Sequence, residues 1–142
     1  MNPFRSLHDY ELFVYALPQQ FGRISSSTLL LVRRGRLYAE LTGEIFFRHG
    51  YRLSLFERLN LESGEITITG YSYEAYLDGD KLYWYDSQPH PDDAALASTH
   101  PHHKHIPPDI KHHRVPAPGL SFAEPNLAKL IQEIEMLIDN DS

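Results

Sequence analysis

No cysteine occurs among the 142 residues. That excludes disulfides, thiolate nucleophiles and cysteine-based zinc sites. No apolar run approaches the roughly 20 residues that a membrane span needs, and the N-terminus lacks the basic-then-apolar layout of a signal peptide. The expected address is the cytoplasm, with no membrane partner. Positive charge is scarce as well. Lys and Arg number 13 against 19 Asp and Glu, leaving −6 with histidines neutral. Such a balance argues against indiscriminate binding to polyanions. The length is that of one domain able to bury a proper core.

What the chain has in excess is histidine, concentrated in one place. Seven of its nine histidines fall between His90 and His113. They lie in Tyr83-Trp84-Tyr85-Asp86-Ser87-Gln88-Pro89-His90, in His100-Pro101-His102-His103-Lys104-His105 and in Lys111-His112-His113-Arg114. Prolines and basic residues space them without helical or strand periodicity, so an irregular loop is expected over residues 88–119. Long irregular stretches in small domains are usually functional or disordered. Histidine titrates near neutrality and binds metals readily. Three explanations compete: general acid–base chemistry, metal ligation, and a solvated loop of biased composition. From His100 to Arg114 the fixed charges are Lys104, Lys111 and Arg114 against Asp109 alone. An acidic protein with one basic, titratable patch suits an anionic substrate.

The rest of the chain reads as scaffold. Leu7, Tyr10, Phe13, Val14, Leu17 and Phe21 recur at helical spacing, and Ser6 with Asp9 resembles a cap, which predicts a helix over about 7–17, ended near Pro18. From Ser27 the period becomes two. Glycine-bearing turns at Arg34-Gly35, His49-Gly50, 62–65 and 78–81 separate alternating segments, which predicts an antiparallel meander of about five strands over 27–87. Near the C-terminus, Leu127, Leu130, Ile131, Ile134, Leu137 and Ile138 form one apolar stripe, predicting a helix over 125–139 with Pro125 in its first turn. One α+β domain follows, with N-terminal and C-terminal helices covering one sheet face.

Register can be set by making apolar faces coincide. A three-residue loop at 49–51 pairs Leu53 with Phe47 and Glu57 with Gly43; a four-residue loop at 62–65 pairs Leu59 with Ile68 and Glu57 with Gly70. Glu57 then lies on the apolar face between two glycines, either as an acid–base group in a hollow or as a cap for a basic side chain. The opposite face carries Tyr38, Phe46, Phe56, Arg58, Tyr71, Tyr73, Trp84 and Asp86. Aromatics with arginine on an open sheet stack unpaired bases, or cover themselves in a homodimer or under a partner. In this register Asp86 and Glu57 lie on opposite faces.

Cleaving an RNA phosphodiester through its 2′-hydroxyl needs a base, an acid and a cation. His102-His103-Lys104-His105 contains that inventory without a metal. Zinc at His100, His102, His103 and His105, completed by His90 or Asp86, is a minority alternative with no standard spacing.

At this point a resemblance emerges. Glycine, leucine and Glu57 in a strand, then Tyr71-Ser72-Tyr73, Tyr85-Asp86-Ser87-Gln88-Pro89-His90 and Pro101-His102-His103-Lys104-His105 resemble the small TumE-like toxins, from about Gly50 to the end of the last helix. The resemblance implies the toxic half of a prokaryotic toxin–antitoxin module, neutralised by a small cognate antitoxin and acting on RNA. Ser87 stands where asparagine is usual, and residues 107–118 look extended. The expectation is a metal-independent endoribonuclease needing no cofactor. Its catalytic candidates are Glu57, Asp86, His90, His100, His102, His103, Lys104 and His105. Arg58, Tyr73 and Trp84 are expected to hold nucleic acid or a partner. The alternative is a non-enzymatic interaction protein whose histidine loop binds a metal ion or a partner.

Overall fold

A computed structural model describes residues 2–141. After a short 3₁₀ turn at Pro3–Arg5, helix α1 (Leu7–Tyr15) is capped by the Ser6 hydroxyl, which accepts from the Asp9 N–H at 3.0 Å. Pro18 does not end the helical region as expected. It occupies the first turn of a second short helix, α2 (Leu17–Gln20), where proline's missing N–H has no intrahelical partner to lose.

Strands then follow as β1 (Ile24–Ser27), β2 (Leu30–Arg34), β3 (Tyr38–Phe47), β4 (Tyr51–Asn60), β5 (Thr67–Leu77) and β6 (Asp80–Asp86). The expected loop holds two more, β7 (His103–His105) and β8 (Arg114–Pro116), and a 3₁₀ segment at Ala94–Thr99. Helix α3 (Leu127–Asn140) closes the chain, with Pro125 just ahead of it rather than in its first turn. The class is α+β as expected, but the described residues hold one antiparallel sheet of eight strands rather than five, ordered β1-β3-β4-β5-β6-β7-β8 with β2 also on β3.

β1 and β2 share one edge of β3 because the chain steps inward between them. Gly43 makes room for the step: at φ +134° it lies so close that an added Cβ would meet the Thr28 carbonyl oxygen at 2.6 Å. This explains the glycine that sequence counting placed beside Glu57. Thr28 is held there by its N–H donating to the Glu44 carbonyl at 2.8 Å.

The register departs from expectation in two different ways. Across β3–β4, Leu53 faces Ile45 and Glu57 faces Leu41, two residues from the expected pairing, because the connection includes a tight turn at Arg48–Gly50. A two-residue shift keeps every side chain on its face. Across β4–β5, Leu59 faces Ile68 as expected, but Thr69 then bulges and Glu57 faces Tyr71 rather than Gly70. One extra residue reverses everything after it. Tyr71 and Tyr73 therefore turn to the helix-covered side, both buried, not to the open face. A second bulge at Leu82 reverses the pattern again. The two errors cancel at Trp84 and Asp86, which lie opposite Glu57 as expected.

Both long helices cover the face that carries Leu41, Leu55, Tyr73, Ala75 and Tyr85. Leu130, Ile131, Ile134 and Ile138 of α3 are buried there with Tyr10 and Val14 of α1. Fully buried Glu57 joins the layers. The Tyr10 hydroxyl donates to one of its carboxylate oxygens and the Tyr73 hydroxyl donates to the other at 2.5 Å. Asn126, ahead of α3, donates to the Tyr73 oxygen at 3.1 Å. Burial raises the Glu57 pKa, while the two tyrosine hydroxyls pull it down.

Among the described residues no helix is long and apolar enough to cross a membrane. The exposed large apolar side chains are Leu12, Tyr15, Leu30, Leu37, Tyr38 and Met136, not the Phe56, Tyr73 and Trp84 patch that counting predicted.

Candidate functional site

The open face of the last strands is built by pairing. Asp86 of β6 faces His103 of β7, and His103 faces Pro116 of β8. One step along, Trp84 faces His105 and His105 faces Arg114. Alternation in a three-residue strand places His103 and His105 together on this face and sends Lys104 to the other. There its ammonium lies over Tyr83 and Tyr85, 4.4 and 5.1 Å from the ring centres, so Lys104 does not join the imidazoles.

Each of the two imidazoles is fixed by its far nitrogen. His103 Nδ1 donates to the Pro101 carbonyl at 3.1 Å, and His105 Nδ1 donates to the Ile110 carbonyl at 2.8 Å. A carbonyl oxygen only accepts, so both protons sit on Nδ1 and both Nε2 atoms carry lone pairs. Those two Nε2 atoms are 3.1 Å apart. Facing lone pairs repel at this distance unless a proton or another cation lies between them. Trp84 covers the pair, its ring stacked on His105 at 4.0 Å and its indole N–H donating to Ser72 at 2.9 Å. Burial lowers the pKa of both histidines, and the charge of Asp86 works in the opposite direction. Asp86 is half-buried; one carboxylate oxygen accepts the Gln88 N–H at 2.6 Å. One oxygen of Asp86 and one nitrogen of each histidine lie within 4.8 Å of one another.

Two more residues complete the surroundings. His90 sits edge-on to His103, with ring centres 4.9 Å apart. Arg114 Nε is buried without a hydrogen-bond partner, alone in this among the buried side-chain nitrogens and oxygens of the described residues. A cleft of about 160 Å³ is lined by Trp84, Asp86, Gln88, His90, His105, Lys111, His112 and Arg114. Sequence reasoning singled out the imidazoles but missed Arg114 as a site residue. Its signal was the basic end of the histidine segment, which only the β7–β8 pairing brings beside His105.

The other candidates lie elsewhere. Glu57 is in the core on the opposite face, which corrects its place among the acid–base candidates. His102 also points to the helix side: it stacks on Tyr71 with ring centres 5.5 Å apart, and its Nδ1 is 2.5 Å from the Tyr71 hydroxyl. His100 is exposed. The structure therefore does not assemble His100, His102, His103 and His105 as one cluster. Tyr73 is unavailable to a ligand, being fully buried. Arg58 is exposed on the open face, its guanidinium 5.8 Å from the Phe56 ring centre, beside a second groove that reaches Ser72, Asp86 and Gln88.

Comparison with known families is decisive about membership. The model of the family described as Toxin TumE matches residues 16–138. The chain belongs to the TumE toxin family. That span includes the whole sheet from β1 to β8, the histidine cleft and nearly all of α3. No curated protein and no solved structure matches the chain. A toxin family implies an antitoxin as partner, as expected from sequence. Within this TumE-family chain, Tyr85-Asp86 supplies the end of β6, and Pro101-His102-His103-Lys104-His105 supplies the whole of β7.

Proposed function

We propose that this chain is the toxin of a toxin–antitoxin module and acts as a metal-independent endoribonuclease. The observation that carries this reading is the unpartnered Arg114 Nε in a cleft that His90 and the tautomer-fixed His105 also line, with His103 against both imidazoles. A buried cationic nitrogen without an acceptor suits an anion, and the phosphodiester is the anion a nucleic-acid toxin must hold. His105 and His90 line the cleft together, so a phosphate seated at Arg114 has an imidazole on two sides. A neutral imidazole takes the proton of the ribose 2′-hydroxyl, whose oxygen attacks phosphorus. A protonated imidazole gives its proton to the departing 5′ oxygen, leaving a cyclic phosphate and a free hydroxyl. Arg114 and Lys111 oppose the charge that builds on the phosphoryl oxygens. An additional proton held between the Nε2 atoms of His103 and His105, 3.1 Å apart, positions the His105 ring.

RNA fits the surroundings better than a small ester. Phe56 and Arg58 lie on the same open face, next to the groove that leads to Asp86, and can hold an unpaired base by stacking. The antitoxin is then the partner that covers this face.

Inducible expression with and without the neighbouring gene tests the reading, followed by RNA cleavage with the purified chain. Growth arrest relieved by the neighbour, together with cleavage lost in Arg114→Ala and His105→Ala, is expected. Full growth with the chain alone and intact RNA in its presence would overturn it.

A further inference from the structure

We infer that Asp86, His103 and His105 form a binding site for one divalent transition-metal ion of the zinc class. The inference concerns the cleft just described but stands on geometry alone, whether or not RNA is the substrate. Zinc takes imidazole nitrogens at about 2.0–2.1 Å, so two such ligands at the tetrahedral angle stand about 3.3 Å apart. The Nε2 atoms of His103 and His105 are 3.1 Å apart and face each other. Their Nδ1–H groups donate to the carbonyls of Pro101 and Ile110, the outer contact that fixes a metal-binding histidine in its ligating tautomer. Asp86 supplies a carboxylate whose reach closes the triangle, all three ligand atoms lying within 4.8 Å of one another. It is itself oriented by the Gln88 N–H. Without cysteine, this donor set of two nitrogens and one oxygen favours zinc, copper or nickel over calcium and magnesium, which prefer oxygen alone.

The ligands differ from the four-histidine set weighed in the sequence, which His90 or Asp86 was to complete. His102 is turned away toward Tyr71, and Asp86 takes its place through strand pairing. Three protein ligands leave a fourth position facing the cleft, as in sites that hold a water or an exchangeable ligand. Arg114, across from His105, opposes a cation, so the ion binds best with an anion in that fourth position. The ion would occupy the very lone pair that an acid–base role of His105 needs. Under the reading above, a loaded toxin is therefore a silent one.

The test uses the full chain without a histidine tag, titrated with zinc chloride by calorimetry and checked for bound metal after dialysis. One ion per chain is expected, with affinity reduced about 100-fold or more in His103→Ala and His105→Ala and about 10–100-fold in Asp86→Asn. Asp86→Asn preserves shape, and circular dichroism confirms that each variant is folded. The variant His113→Ala, which alters an exposed histidine outside the cleft, should bind as the wild type does. Absence of stoichiometric zinc, or affinity unchanged in Asp86→Asn and His105→Ala, overturns the site. Binding lost in His113→Ala overturns it too, by moving the ion to that exposed histidine. Adding zinc to the cleavage assay separates the two proposals: slower cleavage fits both, and faster cleavage keeps the metal site while removing metal-independent chemistry.

Discussion

Glu57 and Asp86 are carboxylates on opposite faces of one sheet, and their surroundings are built on opposite principles. Glu57 is fully buried, and each of its oxygens accepts from a tyrosine hydroxyl that is itself held between helix and strand. Nothing is left over there. Asp86 is half-buried and has one oxygen tied to a backbone N–H. Its neighbours include two imidazole lone pairs pointed at each other and a buried arginine nitrogen without a partner. A polar cluster that satisfies itself holds the fold together; one that leaves groups unpaired at a surface cleft is equipped to bind something. In sequence Glu57 stands out as a polar residue in an apolar strand and the histidines as a crowd in an expected loop; strand pairing distinguishes the two clusters.

The sharpest way to break this contrast is to strip each cluster in turn. His105→Ala should lower RNA cleavage by about 10²–10⁴-fold, with a loss of stability smaller than that of Glu57→Ala although the ring is buried against Trp84. A large fall in stability with intact activity would assign the imidazole pair to structure instead. Glu57→Ala should do the reverse. Removing the acceptor leaves two buried hydroxyls unsatisfied and opens a cavity, at about 3–5 kcal/mol by denaturant unfolding. Ile134→Ala, in the middle of the buried stripe of α3, should cost about 2–5 kcal/mol in the same measurement. A loss below about 1 kcal/mol would mean that the helix contributes little to the core.

A smaller effect is readable in pH. The folded-state pKa of Glu57 is raised above its ordinary 4.5 by burial, so the native state holds this proton more tightly than the unfolded chain does. Stability from this group is fully present below about 4.5 and is lost as pH rises through the folded-state value. Glu57→Gln removes the titration. The stability of the wild type relative to that variant should therefore fall as pH rises above 4.5. A difference that stays flat or rises would reverse the assigned direction. Smallest of all, His113→Ala should change cleavage by less than about twofold. His113 is exposed, lies outside the cleft, and its ring meets the Pro107 carbonyl at 3.2 Å.

Much of the scaffold was legible in sequence because its periods are long. The stripe from Leu127 to Ile138 extends over several turns, and the buried face of α3 follows it. The strands from Tyr38 to Asp86 are long enough for alternation to mark them. Legibility ended where one residue decides. Thr69 and Leu82 each add a residue that no alternating count detects, and the first sent Tyr71 and Tyr73 to the face opposite the one expected. β7 and β8 were read as loop because three residues carry no period. The site was therefore recognised by composition, as a crowd of histidines. Its membership was decided by pairing, which kept His103 and His105, set Lys104 and His102 aside, and brought in Arg114.

The hold of the Ile110 carbonyl on His105 has a practical corollary. The stretch from Pro107 to His113 looks like surplus chain in the sequence, yet its main chain anchors an imidazole of the cleft, and Ile106 N–H closes it by donating to the His113 carbonyl at 3.0 Å. Alanine scanning is blind to such an anchor, because every substitution keeps the carbonyl in place. Shortening the turn by a residue or two would not be silent: the ring of His105 would lose its stop and swing. Relatives that differ only in the length of this turn can thus differ in potency while sharing every side chain of the cleft.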